Sequence, residues 1–574
     1  MKKLSHANWL LTLSGVLALA LLVSCGGDKK SSGSASSSAA CGAGGARPAS
    51  SGAVGSRLVI GVEYSGEETK DYRIGGGGAQ AWLHRPHLET LLTRDCATGE
   101  PAARLAEEWK VSEDGRFINF KLRKGVQFHD GWGEMTAEDV AWNYNVHLKA
   151  APSATSVNAR VDNVKVVGPY EVTMQLSEPG ADVLNWVATD MYSTAGIVSK
   201  KHWESVGDPK TLNDPMLAGT GPWKLVKWTA GSSILFERVE NHWRQTPAFK
   251  ELEYRILNEN STRLAALLAG EIQITTLPYD LLDTATGRGM GVVKGNLPSF
   301  RVWMEFFGCC VRDIATGKYR HPDSPLMDVR VRKALSKAVD RNAINKAFLG
   351  GKGEVALLPH LHPSREGWDA SWKERWEKEY GYDPAAARAL LAEAGYGPNN
   401  PLKTNMLLSY QTGFPEGPDL QEAIIGYWKA VGVETKLITV DRATERRMGE
   451  AFEYDNHFWM ATSLSGAVDG YVIRNINNPA NLKSDPKFKG NFRGVNLPEL
   501  EDVILRALKE TNEKKFDELA RQMGEIAFVN HVSYPLFWLP AQFAINPKVV
   551  GGWSLSGVHS GLWSHLEYVE VAKK

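Results

Sequence analysis

The chain has 574 residues, and Lys plus Arg balance Asp plus Glu at 66 each. Without a basic excess there is no electrostatic case for a nucleic-acid partner. Apolar content of 43% and charged content of 23% are ordinary for a folded chain. The length exceeds the roughly 250–300 residues that one hydrophobic core fills, so at least two domains are expected.

Residues 1–24 read as an export signal. Lys2 and Lys3 precede an apolar run from Trp9 to Val23, which is too short, and too plainly followed by polar sequence, for a comfortable membrane span. Leu22-Val23-Ser24-Cys25 has the form of a bacterial lipobox, with small Ser24 before the cut and Cys25 as the residue to be diacylated. Plain secretion and an uncleaved anchor are the competing readings, and plain secretion has no use for a cysteine at the cut. The expectation is an exported, lipid-anchored chain held to the membrane through Cys25, with its body in the periplasm or at the cell surface. Residues 25–56, nearly all Gly, Ser and Ala after Cys25, cannot bury enough apolar surface to fold. They form a flexible tether whose typical span is on the order of 30 Å.

Arg57–Tyr64 reads as a buried strand. Lys110–Leu122 reads as two strands around the Asp114-Gly115 turn, with Phe117, Asn119 and Lys121 on one face and Ile118, Phe120 and Leu122 on the other. Thr136 with Asp139 is a capping-box pattern, and Val140, Tyr144 and His147–Leu148 follow on one helical face. Asn163–Leu176 is strand, turn, strand. Asp328 precedes a helix carrying Val331, Ala334, Leu335, Ala338 and Val339. Asp383-Pro384 opens another that Gly395 stops, and Asp419–Val431, stopped by Gly432, runs into the strand Val433–Val440. Glu499–Leu508 and Phe516–Phe528 make a helical pair. This alternation indicates α/β lobes with mixed sheets.

The chemistry-bearing residues are mostly bland. His129-Asp130 looks like a catalytic pair but reads better as a brace and cap for the turn before a helix. His84/His87 and His360/His362 have ligand-like spacing with no third ligand in a zinc pattern. No Gly-x-Ser-x-Gly elbow or phosphate loop is present, so neither enzyme activity nor a metal or cofactor is expected. The five cysteines allow one disulfide in an oxidising compartment, but the neighbours Cys309 and Cys310 read better as buried thiols, because a ring closed between adjacent residues is strained. Nineteen tryptophans are many for this length; they can fill a core, and they also suit the wall of a wide solute cavity.

A run of motifs then becomes specific. Leu105–Trp109 with Ser112–Gly115, Phe120–Gly131 (FKLRKGVQFHDG) and Met135–Val140 (MTAEDV) come first. Gly219–Trp223 (GTGPW), Asn241–Arg244 (NHWR), Leu264–Ile274, Asp328–Arg341, Gly350–Gly353, Tyr382–Tyr396 and Ala423–Val433 follow in order. Together they resemble the signature of family 5 extracellular solute-binding proteins, the dipeptide/oligopeptide type of ABC importers, over about residues 57–550. The resemblance implies a two-lobed α/β, periplasmic-binding-protein-like fold of type II, with mixed sheets, hinge strands and an extra domain inserted in the first lobe. The implied division is 57–305 for lobe 1 with an insert at about 83–215, 306–538 for lobe 2, and 539–574 returning to lobe 1. The hinge crossings are expected near Arg301–Phe307 and Tyr534–Pro540.

The resemblance also implies a function of binding without chemistry. A small organic solute, peptide or peptide-like, would be enclosed between closing lobes and passed to the transmembrane subunits of an ABC permease by a monomer. The alternatives are a tethered sensor of the same fold, or a non-peptide cargo such as a nickel chelate or a sugar. Carried over residue by residue, the cavity would be lined by Tyr64 at the end of the first strand, Trp303 on the hinge strand, and Trp459, Thr462, Ser463 and Asp469 in lobe 2. Peptide-binding members commonly place an acidic residue soon after an aromatic there. This chain has Thr462-Ser463-Leu464-Ser465-Gly466 instead, with Asp469 only later, which points to a neutral or less charged ligand, or to Asp469 reached by a shifted loop.

Overall fold

The structure, a computed structural model, describes residues 54–573 except 65–67, 74–82, 96–100, 151–160, 178, 180–183, 185–194, 308–309, 311–315, 359–360, 364–366, 409–413, 442–443, 446, 449–455, 464–494, 496, 508 and 554–562. Cys25 and Asp469 therefore lie outside the described residues.

Local signals became the elements they announce. The first strand is Gly55–Val62, with Leu58 to Val62 buried and Glu63 and Tyr64 just past its end. Ala106–Val111 and Phe117–Leu122 pair antiparallel around the Asp114-Gly115 turn, where Gly115 takes a φ of 65° that suits a residue without Cβ. Along Phe117–Leu122 every second residue is buried, in the expected phase. Glu171–Leu176 and Val161–Gly168 complete a four-stranded antiparallel sheet. The helix Ala137–Trp142 packs on this sheet, capped at Thr136, whose backbone N–H donates to Asp139 Oδ2 at 3.0 Å. It continues as a π-helical turn, Asn143–His147, and Val140, Tyr144, His147 and Leu148 remain buried. These elements share one core with Leu88, Leu91, Ile197, Leu217 and Ala218, separate from the cores of the two lobes.

An eleven-stranded sheet joins both lobes. Its order is Val433–Thr439, Leu402–Leu408, His457–Ser463, Gly291–Phe307, Tyr534–Ile545, Ile274–Thr275, Gly55–Val62, Phe249–Ile256, Ser233–Arg238 and Trp223–Thr229, with Glu354–Val355 pairing on Tyr534–Ile545. Two strands, of 17 and 12 residues, run through both lobes as an antiparallel pair. Their register slips between Lys294 and Phe300, where Pro298 faces Pro540. Neither proline has an N–H to give the ladder, so backbone bonds are missing at this point.

The second lobe has the largest core, built from Val302, Met304 and Phe306 of the hinge strand, Phe458 and Met460 beside them, and the inward faces of the covering helices. Those helices start where expected. Asp328 accepts from Arg330 N ahead of Val329–Lys337, and Asp383 accepts from Ala386 N ahead of Pro384–Glu393. Pro498–Ala507 and Glu513–Val529 form the helical pair.

One expectation is corrected. Cys310 is disulfide-bonded rather than a buried thiol, and the four other cysteines lie outside the described residues. His129 and Asp130 brace the turn before the helix. The His129 ring donates to Gly221 O at 2.8 Å and Asp130 pairs with Lys224 at 2.8 Å, tying the turn to the strand that re-enters lobe 1, while Thr136 and Asp139 cap the helix itself.

Candidate ligand site between the lobes

The carboxyl ends of both lobes' parallel strands face one seam. Ile274–Thr275 runs antiparallel to the end of Tyr534–Ile545, which comes out of lobe 2, so it and its parallel neighbour Gly55–Val62 point toward lobe 2. In lobe 2, Leu402–Leu408, Val433–Thr439 and His457–Ser463 are parallel. Ser463 lies opposite Arg301, and Arg301 opposite Trp538, next to the slipped register. Open α/β sheets bind ligands at such carboxyl ends.

On the hinge strand the period of two sorts side chains by role. Val302, Met304 and Phe306 enter the lobe 2 core, while Trp303 and Glu305 point to the other face. Glu305 pairs across the ladder with Trp459, and Trp303 with Ala461. Trp303, Trp459 and Leu407 form a small cluster of their own, flanked by Ile438 and Met448. The Trp303 indole N–H donates to Glu305 Oε1 at 2.8 Å, which fixes the ring plane. Thr462 and Ser463 continue the Trp459 strand toward the seam.

Tyr64 stands apart from that cluster, packed into the lobe 1 core. Its backbone N–H donates to Asn258 Oδ1 at 3.0 Å. Behind it, Arg263 Nη1 holds Leu257 O at 2.7 Å and Asn258 O at 2.8 Å, and Glu63 lies 3.7 Å from the same guanidinium. Burial raises the Glu63 carboxyl above its ordinary range, and Arg263 opposes it.

Direct contacts also cross the seam. Tyr279 opens the lobe 1 helix Tyr279–Gly287 yet packs into the lobe 2 core. Its backbone N–H donates to Glu416 Oε1 of lobe 2 at 3.0 Å. Burial pushes the Glu416 carboxyl up to about 7. Beside it Lys352 Nζ pairs with Asp283 at 2.5 Å and stands 5.3 Å from the Tyr279 ring centre.

Glu305, Tyr279 and Glu416 escaped the sequence reading. The alternation in Arg301–Phe307 already places Glu305 on the face of Trp303, so that signal was available. Nothing local marks Tyr279 or Glu416, whose partners lie 137 positions apart. Among the described residues no group of three or more His, Cys, Asp or Glu could hold a metal ion.

Comparison with known proteins agrees with this geometry. A dipeptide-binding protein of Escherichia coli (strain K12) is 29% identical over 463 residues, covering 76% of this chain and 81% of that protein. Heme-binding protein A of Haemophilus influenzae is 28% identical over 481 residues, covering 79% and 81%. The solved structure of the ABC transporter-associated periplasmic binding protein DppA from Helicobacter pylori, in complex with the peptide STSA, matches with a TM-score of 0.72 at 20% identity, over 91% of this chain and 99% of that one. The fold is the two-lobed periplasmic-binding-protein fold of type II, with a further domain inserted in the first lobe. The model of bacterial extracellular solute-binding proteins, family 5 (middle region), matches residues 100–480, and the chain belongs to that family.

Proposed function

We propose that this protein is the cargo-binding component of an ABC importer, tethered to the membrane by acylated Cys25, which encloses a peptide or peptide-like solute between its lobes. The observation that carries the reading is the Trp303–Trp459 cluster at the meeting of both lobes' strand ends. Buried indoles there form a rigid apolar wall. Tyr64, Thr462, Ser463 and Asp469 complete the proposed lining. In this reading the expected division is a first lobe of 57–305 with its insert, a second of 306–538 and a return over 539–574, but the bend sits a few residues earlier, at the Pro298/Pro540 crossing, so that Val302, Met304 and Phe306 move with lobe 2. Binding works by closure: a ligand that touches both lobes favours the closed form by the difference in its affinity for the two states.

A second reading, a larger non-peptide cargo, is favoured by one specific observation. A heme-binding relative matches about as well as a dipeptide-binding one, at 28% against 29% identity. Mass spectrometry of small molecules released by denaturing the purified protein separates the two. Peptides identify the first reading, an organic non-peptide or chelate the second, and a calorimetric titration with the recovered compound must return binding. The tether is tested by Cys25→Ser, which should move the protein out of the membrane fraction; a variant that stays there and is cut normally removes that part of the proposal.

A further inference from the structure

The junction between the inserted domain and lobe 1 is held by imidazoles. The chain leaves lobe 1 through His84–Leu88 and returns through Leu217–Trp223, and the two segments pair by Gly221 N→His87 O at 3.0 Å and Trp223 N→Pro86 O at 3.0 Å. They lie so close that a Cβ on Gly219 would stand 2.2 Å from His87 O. The returning segment is buried and its backbone groups need partners. Backbone groups supply some of them, and four rings supply others. His87 Nε2 donates to Leu217 O at 2.9 Å, His242 Nε2 to Thr220 O at 2.8 Å and His129 Nε2 to Gly221 O at 2.8 Å, while His202 Nδ1 accepts from Ala218 N at 2.9 Å.

The tautomer with its proton on Nε2 satisfies all but one of these contacts, the exception being Gly219 N, which also faces His87 Nε2 at 3.3 Å. His87 Nδ1 accepts from Leu225 N, and His242 Nδ1 from Arg244 N and Gln245 N, each at 3.3 Å. So three of the four rings use Nδ1 as an acceptor, and the fourth, His129, keeps Nδ1 buried with no hydrogen-bond partner among the described residues. A proton on Nδ1 of His87, His202 or His242 would turn a donor toward a backbone N–H that now finds an acceptor there. The His87 and His129 ring centres are 4.4 Å apart, so two charges there would repel. His84 lies close to His87, and His202 stacks on Trp132 at 4.3 Å. The charged neighbours are mixed. Asp130 lies near His87 and His202, and Glu89 and Glu567 near His242; Lys224 lies near His129 and Arg244 near His242.

We propose that His87, His129, His202 and His242 form an acid-sensitive fastening, which as neutral rings locks the inserted domain to lobe 1 and on protonation releases the returning segment Leu217–Gly221. Burial is the largest cause that lowers all four below the ordinary histidine range, His129 to about 4 and His87 well below normal. The sign follows from linkage. The unfolded rings take up protons that the folded ones refuse, so the fastening is intact above the unfolded value near 6.5 and weakens as pH falls toward about 4.

The test is amide hydrogen exchange on the full chain at pH 7 and pH 5, corrected for intrinsic exchange. Protection of 217–223 should fall by roughly tenfold or more, one pKa unit of linkage, while Gly417–Ala430 in lobe 2 stays within about twofold. His129→Gln with His202→Asn keeps a donor and an acceptor at the two positions but cannot titrate there, and with only His87 and His242 left to take up protons it should lose clearly less protection of 217–223 at pH 5 than the wild type does. Unchanged wild-type protection at pH 5, or a double variant that responds to acid as the wild type does, overturns the proposal. If the double variant is already loosened at pH 7, histidine NMR titration of the wild type decides. Rings that charge only as protection is lost support the fastening, and rings that titrate near 6.5 with 217–223 still protected overturn it.

Discussion

The protein has two internal junctions, and they are built by opposite rules. Where the inserted domain meets lobe 1, crossing backbones touch without room for a Cβ at Gly219 or Gly221, and buried rings satisfy the segment's polar groups. Where lobe 1 meets lobe 2, two long strands lose register around facing prolines, and the side-chain contacts across the seam include Tyr279–Glu416 and the half-exposed pair Lys352–Asp283. Dense bonding and close packing hold one arrangement, because a displacement strands buried polar groups at about 1–3 kcal/mol each. A ladder interrupted by prolines has fewer backbone bonds to lose on bending at that point. The first junction behaves as a weld and the second as a hinge.

Breaking the weld should have the largest effect. Gly219→Ala drives a Cβ to 2.2 Å from a backbone oxygen and 2.9 Å from Leu88 Cδ2. We expect a loss of about 3 kcal/mol or more in chemical denaturation, at the upper end of overpacking costs. Gly426→Ala, in a lobe 2 helix with nothing near its Cβ position, should be neutral or slightly stabilising.

The next effect belongs to the hinge region's aromatic wall. Trp303→Ala should weaken binding of the recovered cargo by about 2–4 kcal/mol in calorimetry, the range for a truncated hot spot. Glu305→Leu removes the acceptor that orients the indole, and should recover part of that loss when restored as Glu305→Gln.

A smaller effect sharpens the contrast through pH. The folded Glu416 carboxyl, raised to about 7 by burial, holds a proton that the unfolded chain releases above the ordinary carboxylate range near 4.5. Its contribution is complete below that range and is lost as pH rises through about 7, the reverse of the histidine junction. Glu416→Gln should flatten the fall in stability between pH 5 and pH 8 by roughly 1–3 kcal/mol, read from urea midpoints.

Least affected should be Lys352→Ala. Its pair with Asp283 is exposed on the carboxylate side, so we expect under about 1 kcal/mol in stability.

Much of the fold was legible because its signals are local. The Thr136–Asp139 cap, Asp328, Asp383-Pro384 and the alternation in Phe117–Leu122 each act over a few residues, and each produced its element. The site was legible only in part. Trp303 and Trp459 come together because two strands pair in one register; the resemblance named both as cavity residues, but neither it nor periodicity gave the pairing. Tyr64 was placed at the end of the first strand, but it packs into the lobe 1 core rather than with the tryptophans. The histidines mislead in isolation. His84 and His87 have ligand spacing, yet His87 works with His129, His202 and His242, three rings spread over more than a hundred positions and gathered by the returning segment. Cys310 was misread because adjacent cysteines discourage the thought of a disulfide, although the bond is present.

The central claim is that the Pro298/Pro540 crossing lets the lobes close on cargo while the inserted domain moves rigidly with lobe 1. Small-angle X-ray scattering of the protein stripped by unfolding and refolding, before and after adding back the recovered cargo, tests it most directly. The account predicts a smaller radius of gyration on saturation, together with a rise in melting temperature that reflects about 2.7 kcal/mol at a hundredfold excess over Kd. A cargo that raises the melting temperature while leaving the scattering curve unchanged would contradict it.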